Sequence, residues 1–294
     1  MRIGAQISVA GGVVKAFDRA EEMGAESVQI FALSPRRWRS AAPPDEVIEA
    51  FRTRAKEATT IEGVYCHAPY LINLGTGNDA LRDKSFDCLV EHLAVATSLG
   101  TQGVVLHIGS HLGQGLDAVT ARIAEALIGA LEGATKLAGE PSTKILIENT
   151  AGAGGTIGRS FEELATIIDA AANDSRLGLC VDTQHLFASG VAYATLDEVD
   201  AVMEEIRTTV GLERLGCLHL NDSKVAFGSN RDRHENLGEG EIGAKALANF
   251  LSHPAIAHAP ALLEVPGDGS GPRESDVIVA KKILATGVRA RKRR

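Results

Sequence analysis

Eight short runs rich in β-branched residues recur along the chain, each separated from the next by a longer stretch of helical character. They are Ile3–Ser8, Ser27–Phe31, Gly63–Ala68, Gly103–Ile108, Lys144–Asn149, Leu177–Asp182, Leu215–Asn221 and Ala261–Val265. Regular alternation of strand and helix favours parallel pairing, because each helix carries the chain back to the end where the next strand begins. Eight such units over about 250 residues plus extensions are the pattern of an α/β chain closed into a (β/α)8, or TIM, barrel. The competitor is a doubly wound open sheet. It is disfavoured because no phosphate-binding GxGxxG follows the first strand. Gly152-Ala-Gly-Gly155 is glycine-rich but follows the fifth strand, and reads as a flexible βα loop beside a site.

The connecting stretches carry helix punctuation. Ser160-Phe-Glu-Glu163 and Thr195-Leu-Asp-Glu198 match the capping box. Gly24, Gly100 and Gly139 stand where helices should end in a left-handed turn. Val119, Ile123, Ala124, Leu127, Ala130 and Leu131 recur with a helical period and predict one buried face. No internal repeat or linker interrupts the pattern, so residues 1–287 are expected to form one domain. Residues 288–294 hold five basic side chains. They are expected to be a disordered, solvated tail with at most an accessory part in attracting phosphate.

Composition narrows the class. Apolar residues make up 45% and charged residues 23% of the 294 positions, as in ordinary globular chains. No apolar run approaches the roughly 18 residues of a membrane span, and the N-terminal sequence lacks signal-peptide organisation. Cys66, Cys88, Cys180 and Cys217 form no CxxC pair, which fits a reducing cytoplasm. The formal charge of −8 argues against a broad basic surface for nucleic acid. It does not exclude a local phosphate site, because bound divalent cations would cancel most of it.

Metal-ligand chemistry gathers at the strand ends. His67, His107, Glu148, Asp182, His219 and Glu264 close the third to eighth strands. That rim is where a barrel assembles its site. His185 lies three residues past Asp182 and should face a different ion. Asp232 and His234 are i and i+2 in the loop after the seventh strand, so extended backbone lets both grip a common ion. A lone histidine in a strand is more often a hydrogen-bonded core residue, and a lone aspartate at a strand end is often a helix cap. The joint pattern outweighs those readings, because four carboxylates at one mouth would repel strongly without cations. At about four ligands per zinc, nine shared ligands indicate two or three ions and hydrolysis of a phosphate ester. His92, His253 and His258 read as structural or exposed, and His111 as a neighbour of the site or a phosphate contact. Cys180 and Cys217 read as packing in the barrel interior.

At these residues the chain resembles the endonuclease IV family, the zinc-dependent apurinic/apyrimidinic (AP) endonucleases of base-excision repair. The motifs are His67-Ala-Pro-Tyr-Leu-Ile-Asn-Leu74, His107-Ile-Gly-Ser-His111, Ile147-Glu-Asn-Thr-Ala151, Val181-Asp-Thr-Gln-His185, His219-Leu-Asn-Asp222, Arg231-Asp-Arg-His234 and Leu237-Gly-Glu-Gly240. The resemblance covers nearly the whole chain and implies a xylose-isomerase-like barrel. It implies three zinc ions per chain, with manganese as a substitute. His67 and His107 would hold the first, and Glu148 would bridge it to the second. Asp182, His219 and Glu264 would complete the second, and His185, Asp232 and His234 would hold the third. The implied reaction cleaves the phosphodiester 5′ to an abasic site in duplex DNA, leaving a 3′-hydroxyl and a 5′-deoxyribose phosphate. A bridging hydroxide would attack without a covalent intermediate, with Glu148 and Glu264 as catalytic groups that orient it or accept its proton. Removal of 3′ blocking esters is a further activity of this kind.

The resemblance also implies that Arg36 and Tyr70 enter the DNA where the abasic nucleotide is flipped out. The plainer readings are a salt-bridged Arg36 and a Tyr70 packed on its loop. Trp38 reads as an anchor of the Arg36 loop. Gln6 stands where the family usually has histidine, Ser34 where asparagine is usual, and Gln184 where cysteine is common. These departures concern DNA grip and the surroundings of the ligands, and none is a ligand. The expected assembly is a monomer without membrane contact. The alternative reading is a metal-dependent sugar isomerase or epimerase on the same barrel, which would not need the cluster of His185, Asp232 and His234. A non-catalytic damage binder would be favoured by a lost ligand, and none is lost.

Overall fold

The computed structural model describes residues 1–294. Its strands are β1 (Ile3–Gln6), β2 (Val28–Ile30), β3 (Val64–His67), β4 (Gly103–Leu106), β5 (Lys144–Glu148), β6 (Leu177–Asp182), β7 (Leu215–Leu220), β8 (Asp222–Ser223), β9 (His234–Glu235) and β10 (Ala261–Leu263). All eight expected strands form, most of them a residue or two shorter than the apolar runs. They close a parallel barrel in the order β1-β10-β7-β6-β5-β4-β3-β2. Its closing seam pairs Ile3, Gly4 and Ala5 with Ala261, Leu262 and Leu263. The helices outside it are α1 (Lys15–Met23), α2 (Asp45–Glu57), α3 (Asp79–Leu99), α4 (Asp117–Ala138), α5 (Phe161–Ala170), α6 (Thr183–Ser189), α7 (Leu196–Thr208), α8 (Gly243–Leu251) and α9 (Glu274–Arg291).

The barrel is filled rather than hollow. Tyr65, Val105, Leu146, Cys180, Cys217 and Leu262 pack together in its interior, one from each of six strands. Leu146 fits because its neighbours are glycines. A Cβ on Gly178 or Gly216 would lie 2.7 or 2.5 Å from the Leu146 Cδ2. Cys180 and Cys217 thus sit in an apolar layer, and burial pushes the Cys180 thiol up, so it stays protonated. A second, larger core of 73 buried residues lies between barrel and helices.

Punctuation works as the residue types require, with one exception. Gly24, Gly100 and Gly139 take left-handed φ values of 71, 75 and 72° at the ends of α1, α3 and α4. Thr195 and Glu198 form a reciprocal capping box at α7. At α5 only half of the box forms. Ser160 accepts from the Glu163 amide, while Glu163 Oε2 accepts from Gly158 and Arg159 instead. That carboxylate closes the glycine-rich loop rather than the cap.

Two features depart from expectation. The β8–β9 ribbon pairs Asp222 with Glu235 and Ser223 with His234. It projects from the end of β7, and four residues in two-residue strands are too few to leave a periodicity. The run from residue 288, expected as a tail, begins as helix. Helix α9 runs on to Arg291, whose guanidinium donates to Asp200 at 2.7 Å, and Arg294 pairs with Asp197 and Asp200. Acidic residues on α7 thus meet the basic run. No helix is long and apolar enough to cross a membrane.

Candidate metal centre

Strand register brings the ligand candidates to one depth. Asp182 and His219 are direct partners across β6 and β7, and Glu148 pairs with Cys180 one strand further round. His67 and Glu148 end their strands, His107 and Glu264 follow theirs by one residue, and His185 sits in the first turn of α6. The β8–β9 ribbon delivers Asp232 and His234 from above. Glu148, Asp182 and His219 are wholly buried, and His67 and His185 nearly so.

Glu148 is the hub. Its Oε2 lies 3.0 Å from His107 Nε2 and 3.5 Å from His67 Nε2. Its Oε1 lies 2.9 Å from His219 Nδ1 and 3.3 Å from His185 Nδ1. Glu264 Oε2 approaches His219 Nδ1 at 3.2 Å. Asp232 faces both His185 Nε2 and His234 Nε2 at 3.3 Å. Five overlapping groups of donor atoms lie within 4.8 Å of one another, three of which matter here: His67, His107, Glu148; Glu148, Asp182, His219, Glu264; and Asp182, His185, His234; the other two are His67, His219, Glu264 and Cys180, Cys217, His219. Asp182 therefore reaches toward the loop-borne group as well as toward His219, because its Oδ2 lies 3.7 Å from His234 Nε2 and 3.9 Å from His219 Nδ1. His185, expected to face a different ion from Asp182, has its Nδ1 4.0 Å from Asp182 Oδ1 and shares a group of donor atoms with it and His234. Asp232 stands at the exposed edge of the third group.

Tautomers fit cation binding. A carbonyl oxygen only accepts, so the ring nitrogen facing it carries the proton and the other presents a lone pair. His67 Nδ1 faces the Ala68 carbonyl at 2.6 Å, His185 Nδ1 the Asn149 carbonyl at 2.9 Å, and His234 Nδ1 the Glu264 carbonyl at 3.3 Å. His219 Nε2 faces the Gln29 amide oxygen at 2.9 Å. The opposite nitrogens point into the donor groups. His67 Nε2, His234 Nε2 and Glu148 Oε2 are buried there with no hydrogen-bond partner. Buried polar atoms without partners are rare in folded proteins, and these converge on shared space. The residues present thus fit divalent ions.

Charge balance points the same way. Burial alone would depress His219, but the Glu264 and Glu148 carboxylates outweigh it and hold its pKa well above the ordinary value. His185 is raised likewise against burial, by Asp182, Asp232 and Glu148. Glu148 is held well below the usual carboxylate range because His107 and His219 overcome its desolvation. Burial pushes His107 down to about 4. The buried carboxylates thus favour positive charge beside them, which divalent cations would supply.

The chain matches the xylose isomerase-like TIM barrel family over residues 17–285. It is 37% identical to the probable endonuclease 4 of Thermosipho melanesiensis, across 91% of this chain and 93% of that protein. Its structure superposes on endonuclease IV from Thermus thermophilus with a TM-score of 0.83 at 35% identity, covering 97% of this chain and all of the other.

The chain belongs to the endonuclease IV family.

It is thereby a nuclease, a hydrolase of phosphodiesters. A D-tagatose 3-epimerase-like protein superposes at a TM-score of 0.69 and 18% identity, which reflects the shared barrel alone. The structure also places the residues compared with the family's DNA contacts. Tyr70 is 62% exposed, with its ring 5.0 Å from that of His67 and 5.6 Å from that of His107. Arg36 is exposed and makes no ion pair, and Trp38 packs on the core beneath its loop. Tyr70, His107, Thr150, Gly152, Ala153, His185 and Asp232 line part of a cavity of about 210 Å³, so the glycine-rich loop does stand beside the site.

Residue types alone missed the amides behind the ligands. Gln29 Nε2 donates to Glu264 Oε1 at 2.7 Å and to Gln6 Oε1 at 2.9 Å. Asn221 Nδ2 donates to Asp182 Oδ2 at 2.7 Å, and Asn149 Oδ1 accepts from the Asp182 amide. Gln6, where the family usually has histidine, is thus part of the ligand support. Gln184 is buried and donates to the Arg231 carbonyl and to Ser223 Oγ, bracing the loop that carries Asp232. A polar amide inside a doubly buried strand such as Val28-Gln29-Ile30 was the available signal.

Proposed function

We propose that this protein hydrolyses the phosphodiester 5′ to an abasic site in duplex DNA, leaving a 3′-hydroxyl and a 5′-deoxyribose phosphate. The observation that carries the reading is three donor groups sharing Glu148 and Asp182 at one barrel mouth, with Tyr70 exposed beside them. Three zinc ions would be held there, the first by His67 and His107 with Glu148, the second by Glu148, Asp182, His219 and Glu264, and the third by His185, Asp232 and His234. Manganese is a chemically suitable substitute. Bound ions of this kind lower the pKa of water and neutralise charge on a phosphate.

The chain's own residues do the rest. Glu148 has both oxygens turned to imidazoles, so it serves as a ligand and balances charge. Glu264 has only a slightly exposed side chain and one oxygen fixed by Gln29, which suits it to orient water and accept a proton at Oε2. Tyr70 and Arg36 would fill the gap left by the flipped nucleotide. A sugar isomerase has no use for the third donor group. A terminal 3′ ester presents the same phosphate chemistry, so 3′-phosphodiesterase activity is the second reaction proposed, for a protein acting as a monomer.

The test is incision of a duplex with one abasic analogue by a sample whose metal content is measured. Incision with a 3′-hydroxyl product, abolished by Glu264→Gln, is the expected result. A sample carrying three ions per chain that leaves the duplex intact would overturn the assignment.

A further inference from the structure

One buried carboxylate belongs to none of the donor groups. Asp222 is wholly buried and meets no lysine, arginine or histidine. It accepts instead from four backbone amides: Ser223 at 2.8 Å, Gly238 at 2.8 Å, Ile242 at 2.9 Å and Gly243 at 3.2 Å. The last two open α8, Ser223 belongs to β8 of the ribbon, and Gly238 lies three residues past β9. Glu241 also donates to the Ser223 carbonyl at 2.8 Å. The chain is built to approach closely here, since a Cβ on Gly240 would lie 2.5 Å from Asp222 Oδ1. As a helix cap alone, Asp222 would need only the α8 amides. Its other bonds tie the return of the loop, just after His234, to the end of β7.

We propose that Asp222 is the positioning residue of the third donor group, holding the ribbon so that Asp232 and His234 meet His185. The inference rests on the metal-centre reading above. A charge buried against amides cannot be swapped for an amide without loss, because an amide nitrogen would then face backbone N–H groups. The ribbon would loosen at the His234 side, while Gln184 still grips its Arg231 side. His67, His107, Glu148, His219 and Glu264 lie on the barrel strands or within one residue of their ends, and do not depend on it.

The test is zinc stoichiometry of Asp222→Asn, dialysed against a weak chelator at fixed free Zn²⁺, beside the wild type. Three ions are expected in the wild type and two in the variant, with affinity for the lost ion down about 10- to 100-fold. Incision kcat should fall while KM for DNA stays within about two-fold. Gly240→Ala perturbs the same contact without removing charge, and should give the same selective loss should the first variant fold poorly. Thr195→Ala, a cap removal on α7 outside the site, should lower Tm yet keep three ions. Either Asp222 or Gly240 variant retaining all three ions at unchanged affinity, or losing ions only in proportion to unfolding, overturns the proposal. Fewer than three ions in the wild type itself would sink the metal-centre reading, and this inference with it.

Discussion

Gln29 offers the sharpest test of how the site is held. The side chain is wholly buried, and its amide makes three bonds, to Glu264, Gln6 and His219. Gln29→Met keeps nearly the same volume and removes all three. It leaves Glu264 Oε1 and His219 Nε2 without partners in the interior, at about 1–3 kcal/mol for each orphan. A loss of about 2–6 kcal/mol follows. Unfolding entropy of about 2.1 cal/mol/K per residue over 294 residues converts that to a Tm drop of about 3–10 °C. His219 would also lose the acceptor that fixes its proton on Nε2, so zinc affinity and kcat should each fall about 10- to 100-fold. Differential scanning calorimetry, chelator competition and duplex incision on one preparation measure the three effects. A companion variant, Gln29→Glu, separates hydrogen bonding from packing. The introduced carboxylate would face Glu264 as a like charge at neutral pH and regain a donor on protonation. Burial and repulsion raise its pKa, so activity relative to wild type should recover as pH falls. A Gln29→Met protein with unchanged Tm and incision within two-fold of wild type would refute the argument.

Removing metal should destabilise the fold itself. Chelation leaves Glu148, Asp182 and His219 buried with only each other's charges, so Tm should fall and return on adding zinc, and a Tm indifferent to chelator would count against the site. Gly287 in α9 packs on α8, where an added Cβ would lie 1.9 Å from the Ala248 carbonyl oxygen. Gly287→Ala should therefore cost about 1–3 kcal/mol despite its better helix propensity, with incision per folded molecule unchanged. His92 is buried in α3, and burial, aided by the charge of His67, pushes its pKa down from 6.5 to about 4. The unfolded chain binds that proton more readily, so stability from this group is full above pH 6.5 and lost as pH falls toward 4, by about 3 kcal/mol. His92→Leu lacks this term. Its stability relative to wild type should rise by that amount as pH falls across the window, and a pH-independent difference would exclude it.

The barrel was legible because its signals repeat. Each strand needs a short apolar run and each helix a terminator, and Gly24, Gly100 and Gly139 supply left-handed ends that β-carbon-bearing residues adopt poorly. The ligand candidates were legible because histidines and carboxylates are conspicuous at the ends of buried strands. What escaped notice was set by distant partners. Gln29 lies 190 residues from His219 and Arg291 lies 91 from Asp200, and neither pairing leaves a local trace. Ser160 shows the converse failure. Its motif was correct in sequence, but Glu163 found two better donors in the neighbouring loop.

The acidic charge sum illustrates why totals mislead about sites. The carboxylates of Glu148, Asp182 and Glu264 face imidazoles at the mouth, and Asp222 is neutralised by amides. Elsewhere much of the acid is already matched, as in Asp18 and Glu21 with Arg54, Glu204 with Arg207 and Asp200 with Arg291. The loops that follow β2, β5 and β7 instead present Arg36, Arg37, Arg159, Arg231 and Arg233, all exposed and without a carboxylate partner. At physiological salt a charge is felt over about 8 Å. The formal −8 therefore says little about the charge at the rim, where these five arginines lie on the loops beside the donor groups.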